Sequence, residues 1–182
     1  IAGELTGKSL KLIPAALVSW NSFRGAFPDG SVLSRDTGFD QDYDGPRYGG
    51  YDNNSTPPFE FTGEIDTRLK SKERVVALTI EGRAVAYPFA LLDRHPVFND
   101  SVEGRALVVF KAGRTLSPFR DIAPDATRGI YGVDVERGRV VGSTAVYEPH
   151  VDGRRLTFKE AEGAIVDEET GSTWNILGHA VD

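Results

Sequence analysis

From Arg74 onward, short stretches of alternating or continuous apolar residues are punctuated by glycine beside an acid. A period of two turns one face of a strand toward a core and the other toward solvent. Glu81-Gly82-Arg83 precedes AVAYPF, Glu103-Gly104-Arg105 precedes ALVVF, and Asp152-Gly153-Arg154 precedes RLTF. An acid followed by glycine suits a tight hairpin turn, whose backbone needs positive φ, so each tripeptide predicts two antiparallel neighbours. Further strands are expected over 74–80, 96–99, 129–135, 140–147 and 163–166, and in a closing segment that carries Trp174 and Ile176. The pattern predicts a mostly β fold of the β-rich α+β kind, an antiparallel barrel- or sandwich-like sheet with one or two short helices.

The first third reads differently. Leu10 and Leu12 suggest a short strand that stops at Pro14. Ser19 is a candidate N-cap for WNSFRGAF, in which Trp20, Phe23 and Phe27 fall at i, i+3 and i+7 and predict a helix with a core-facing aromatic stripe. Pro28-Asp29-Gly30 ends it. Short helices are also expected from Pro88 (FALL) and near Pro118. Between Ser34 and Asp52 the chain has neither period, but it holds five aspartates, four glycines and three tyrosines. Such a stretch cannot bury an apolar face, so it orders only where tyrosine rings dock on the body or a cation gathers the carboxylates.

A length of 182 residues suits one domain over 1–182 with a core large enough to need no staples. The formal charge of -6 and pI near 5.1 argue against a phosphate-binding surface and against nucleic acid as a partner, because basic stripes supply most nucleic-acid affinity. No run approaches the roughly 18 apolar residues of a membrane span. Cysteine and methionine are absent and Gln41 is the one glutamine, which suits an oxidising or hot setting and leaves no disulfide or thiolate. The first residue is Ile1 and no signal segment follows, so the chain is expected to be a fragment or mature part of a longer one.

Candidate chemistry concentrates in the aspartate-rich block. Asp40-x-Asp42-x-Asp44-Gly45 matches the first six positions of a calcium loop, where alternate carboxylates converge on a hard cation and glycine allows a sharp turn. The twelfth position holds Tyr51 instead of glutamate, so a helix-free loop with Asp52 or Asp36 as distal ligand is the expected form, and calcium the expected cation. Asp36-Thr37-Gly38 has the look of an aspartic-protease turn, but its flanks differ and the second copy would be Glu169-Thr170-Gly171. His95, His150 and His179 fit no zinc spacing, and neither a nucleophile elbow nor a phosphate loop is present. Tyr43, Tyr48, Tyr51 and His95 are the candidate ligand-binding residues, and no catalytic residue is assigned.

Several blocks in one order, GELTGKSL, SWNSF, VLSRDTGFDQDYDGPRYGGYD, DTRLKSKERVVAL, AVAYPF with Asn99-Asp100, DGRRLTF and DEETGSTWNILGHAV, resemble the family known as domain of unknown function 3179. The resemblance implies longer bacterial and archaeal proteins, often exported or lipid-anchored, in which the motif set can recur twice. The present chain then looks like a second half, with a preceding domain of the same protein as one partner. Many members carry a Cys-Pro-x-Cys segment, or its selenocysteine form, after the strand equivalent to 106–110, which implies thiol redox chemistry. Here that segment reads LVVFKAGRTLSPF. The chain also departs near Gln41, where members have Arg, and near Pro46 or Arg47, where they have Asn. The calcium pattern is therefore particular to this sequence.

The function expected from these readings is that of a non-catalytic, extracytoplasmic structural or binding module, stabilised by calcium through its Asp/Tyr-rich loop. It leaves room for a protein partner or a second copy. Two alternatives stand beside it. One is an enzyme that gathers Asp36, Asp42, His95 and Asp100 in a cleft, and the other a carbohydrate-binding or envelope-assembly domain that presents Tyr43, Tyr48, Tyr51 and Trp20 as a platform.

Overall fold

A computed structural model describes residues 3–11, 13, 15–41, 43, 51, 54, 57–119 and 139–181. The organising element is β4 (Arg105–Ala112), whose consecutive Leu107, Val108, Val109 and Phe110 are all buried. Alternate side chains leave a strand on opposite faces, so four buried residues in a row require a layer on each side. Both layers are present. β4 pairs antiparallel with β3 (Val97–Val102) on one edge and with β5 (Ser143–Tyr147) on the other, making a central three-stranded sheet.

On one face, Leu107 and Val109 pack with Tyr87, Leu92 and Val102 beneath the hairpin of β1 (Val75–Ile80) and β2 (Arg83–Pro88). Pro88 ends that hairpin and caps the single turn of α2 (Phe89–Leu92), which drives Leu92 into the same core. On the other face, Val108 and Phe110 meet Leu156, Phe158, Ile165 and Ile176. Phe158 opens β8 (Phe158–Ala161), which pairs with β9 (Ala164–Asp167), itself paired with β10 (Thr173–Trp174). Phe110 lies 5.1 Å from Phe158 edge to face and 5.7 Å from Tyr147, so one ring joins the two sheets. The architecture is mostly β and layered like a sandwich. Among the described residues the strands form separate antiparallel sheets and close no barrel.

The three acid-glycine turns form as their sequences predict. Glu81 and Gly82, Glu103 and Gly104, and Asp152 and Gly153 all have positive φ. A fourth turn of this kind, Glu162-Gly163, links β8 to β9. RLTF does not continue as one strand. β7 (Arg154–Arg155) pairs with β6 (His150–Val151), and the chain then breaks at Leu156 and Thr157 before β8. The break is held from outside: Thr157 N–H donates to Glu169 Oε2 at 2.7 Å and Glu168 N–H to the Thr157 carbonyl at 2.8 Å.

The helix α1 (Trp20–Ala26) starts at Ser19, whose Oγ accepts from Ser22 N–H at 3.1 Å. Its aromatic stripe is not core. Trp20 is 51% and Phe27 42% exposed; Trp20 stacks on Phe23, Phe23 meets Phe27 at a tilt, and Phe27 meets His179 edge to face. An i, i+3, i+7 pattern specifies a face but not what covers it. Likewise residues 8–11 pair with no strand among the described residues and Leu10 is fully exposed, while Leu12 lies outside the described residues. Residues 117–119 form a bend, with Phe119 N–H donating to Ser117 Oγ, and the rest of the helix expected near Pro118 lies outside the described residues. The strand expected over 129–135 lies outside the described residues.

Candidate functional site

Two polar constellations sit on the sheet scaffold. The first closes the C-terminal sheet. Asp167 ends β9 with its side chain fully buried, and the turn that follows wraps around it. Thr170 N–H donates to Oδ1 at 2.6 Å, Thr170 Oγ1–H reaches both carboxylate oxygens at 2.8 and 2.7 Å, and Trp174 Nε1–H donates to Oδ2 at 2.9 Å. Burial pushes the Asp167 carboxyl up, but the bonds from Trp174 and Thr170 outweigh it and hold the group below the usual carboxylate range. Each donor is already committed, so this is a closed knot that fixes the turn and carries no open coordination position.

The second is a cleft of about 230 Å³ where the approach to β1, the end of α2 and the end of β4 converge. Lys70, Lys72 and Arg74 enter from the segment before β1, Lys111 from β4, and Arg139 from the approach to β5. Aromatic faces position three of these cations. Lys72 Nζ stands 4.8 Å from the centre of the Tyr51 ring, the Arg74 guanidinium 5.9 Å from that of Phe119, and Lys111 Nζ 5.5 Å from that of Phe89. Tyr51 and Phe119 are themselves in contact at 5.3 Å, and Arg74 Nη2 donates to Ser117 Oγ at 2.7 Å. Lys111, only 13% exposed at its side chain, is paired with Asp93, and Asn54 Nδ2 donates to the other acid, Glu73, at 3.3 Å.

The residues singled out from sequence are distributed as follows. Asp36 and Asp40 are exposed, while Asp42, Asp44, Asp52 and Tyr48 lie outside the described residues. Among the described residues no three acidic or histidine side chains stand close enough to share a metal ion. Tyr43 is exposed, its hydroxyl 2.8 Å from Thr37 Oγ1, whereas Tyr51 docks on the body at the cleft. His95 is exposed just beyond α2, its backbone N–H bonded to the Leu91 carbonyl. Asp100 on β3 accepts from the Tyr87 hydroxyl at 2.7 Å and from Ser101 N–H at 2.7 Å. The neighbouring Asn99 clamps β8, donating to the Phe158 carbonyl at 2.7 Å and accepting from its N–H at 3.0 Å, so an amide side chain takes the place of a paired strand residue.

The whole-chain pattern is shared with known sequences. The model of a family described as protein of unknown function (DUF3179) matches residues 1–182. The chain belongs to this family. No curated protein and no solved structure matches it. In this DUF3179 chain the stretch after β4, where the resemblance implies a Cys-Pro-x-Cys segment in other members, contains no sulfur. It carries Thr115 and Ser117 instead, both buried, with Thr115 Oγ1 at 2.5 Å from Ser143 Oγ and Ser117 Oγ bound by Arg74. Among the described residues no helix is long and apolar enough to cross a membrane.

The cleft was missed in the sequence because its lining comes from five separate stretches of chain. One signal was available: Lys70, Lys72 and Arg74 place three cations in five residues just before the first strand of the sheet. Tyr87 offers a direct check on the architectural role of Asp100. Burial, then the bond to Asp100, then its charge, raise the Tyr87 phenol above its usual value. A raised phenol pKa contributes stability that is fully present below about pH 10 and is lost as pH rises further, because the unfolded chain ionises first. Tyr87→Phe is expected to cost about 1–2 kcal/mol at pH 7 in urea unfolding and to flatten the alkaline fall in stability. Unchanged stability at pH 7 together with an unchanged alkaline fall would mean the bond contributes nothing.

Proposed function

We propose that this DUF3179 chain is a non-catalytic structural and binding module that works outside the cytoplasm. The observation supporting it is the separation of the chemistry-bearing side chains. Asp100 is bound to Tyr87, Asp167 is enclosed by its own turn, His95 and Asp36 are exposed, and among the described residues no three acidic or histidine side chains gather. Catalysis by acid and base needs such groups within hydrogen-bond reach of one reacting atom. The absence of cysteine and methionine supports the oxidising, extracytoplasmic setting. A concave surface among the described residues is lined by charged side chains with aromatic backing, which suits binding.

In this reading the Asp/Tyr-rich loop is anchored at one end by Tyr51, and calcium gathers Asp40, Asp42 and Asp44 with Asp52 or Asp36. The supporting observation for the metal is the alternate spacing of the carboxylates together with Gly45. Thermal unfolding in calcium, in magnesium and after exhaustive chelation tests it. A ligand bound only by the folded state adds about 2.7 kcal/mol at a hundredfold excess over its dissociation constant. A calcium-specific rise in midpoint that disappears in the Asp40→Ala, Asp42→Ala double variant is the expected result. Three superimposed curves would remove calcium from the account and leave Tyr51 docking as what orders the loop.

A further inference from the structure

The geometry points to the cleft beside α2 as a binding site for a small multiply charged oxyanion, a molecule that carries phosphoryl oxygens or more than one carboxylate. Five cationic side chains and two carboxylates line it, in a chain whose formal charge is -6. A surface assembled at random from this composition would be acidic. Over distances beyond about 8 Å salt screens the remaining charge at physiological strength, so an entering ligand responds to the local excess of cations.

The two carboxylates leave a net excess of three positive charges: Asp93 is paired with Lys111, and Glu73 keeps its charge while accepting from Asn54. The cations are also restrained. Lys72 lies over Tyr51, Arg74 over Phe119 and against Ser117, and Lys111 over Phe89. A free lysine or arginine loses rotamer entropy when it grips a ligand, and side chains already restrained by ring faces lose less of it. Guanidinium groups such as Arg74 and Arg139 can donate paired N–H bonds to two oxygens of one phosphoryl or carboxylate group, whereas the lysines act as point charges that tolerate several oxyanion shapes. A volume of about 230 Å³ admits a molecule of pyrophosphate or citrate size.

This site rests on the binding-module reading, and the two fail separately. The experiment is calorimetric titration of the purified full chain with pyrophosphate, and in parallel with citrate, in low-salt buffer free of other polyvalent anions, followed by phosphorus NMR of the pyrophosphate sample. Saturable one-site binding below about 10 mM, a range within reach of calorimetry for a weak site, is expected with at least one probe. Pyrophosphate alone would assign phosphoryl oxygens, citrate alone carboxylates, and both would assign charge density as the feature recognised. The Lys70→Gln, Arg139→Gln double variant is expected to bind about tenfold more weakly, and Glu73→Gln more tightly, with unfolding midpoints close to that of the parent. Affinity should also fall as sodium chloride is raised. No saturable binding of either probe, or equal affinity in parent and double variant, would overturn the assignment and leave the module reading intact. Pyrophosphate that binds and is then hydrolysed would keep the site but overturn the non-catalytic reading.

Discussion

Phe110→Ala is expected to lower the free energy of unfolding by about 3–5 kcal/mol. The ring is 1% exposed and touches Phe158 at 5.1 Å and Tyr147 at 5.7 Å, so it is the shared surface of the central and C-terminal sheets. Truncation removes the transfer free energy of the ring and leaves a cavity, which the surrounding strands cannot fill without breaking their ladders. Urea unfolding followed by tryptophan fluorescence measures it, since Trp174 meets Phe158 edge to face at 5.5 Å and reports the same core. Phe59→Ala is the control, because Phe59 is 83% exposed and its loss should stay within about 0.5 kcal/mol. Equal effects at the two positions would mean that the two sheets do not meet as described.

The second large effect is expected at Asp167. Asp167→Asn keeps the shape of the side chain but puts an amide N–H₂ where a carboxylate oxygen accepted from Trp174 Nε1 or Thr170. Two donors then face each other in a buried position, and a charge-assisted bond contributes about 1.5–3 kcal/mol. A total loss of about 3 kcal/mol follows, seen as a fall in midpoint of about 6–12 °C for a chain of this size. The pH dependence has a definite sign. The folded carboxyl titrates below its ordinary value, so its contribution is present above about pH 4 and is lost as pH falls through the lower folded value. Parent protein should therefore lose stability steeply in acid, and the Asp167→Asn variant should show a shallower slope. Identical acid slopes would show that the knot is not held by a carboxylate.

How much of this was legible in the sequence depends on how local the cause is. The hairpins were legible because an acid-glycine pair solves a steric problem within two residues, and positive φ at Glu81 and Gly82 or Glu103 and Gly104 is set there. β4 was legible because the Glu103-Gly104 turn leads into the apolar run ALVVF, while its burial on both faces was decided by the layers that cover it. The α1 boundary was legible from Ser19, but the burial of its stripe was not, since exposure depends on a neighbour that the stripe does not encode. Asp167, Thr170 and Trp174 were visible as a motif and a turn, while the convergence of three donor groups on one carboxylate was not.

Sequence by itself determined the mostly β class, the hairpin positions, the start of α1, the absence of thiol chemistry and, through the order of its motifs, the family. Each of those follows from residue type or from neighbours a few positions apart. Tertiary structure alone decided that Asp100 holds Tyr87, that Asn99 takes the place of a strand partner for Phe158, and that Lys70, Lys72, Arg74, Lys111 and Arg139 share one cleft. Those contacts join residues far apart along the chain, and their geometry is fixed only when the sheets pack on both faces of β4 and bring the ends of β1, α2 and β4 together.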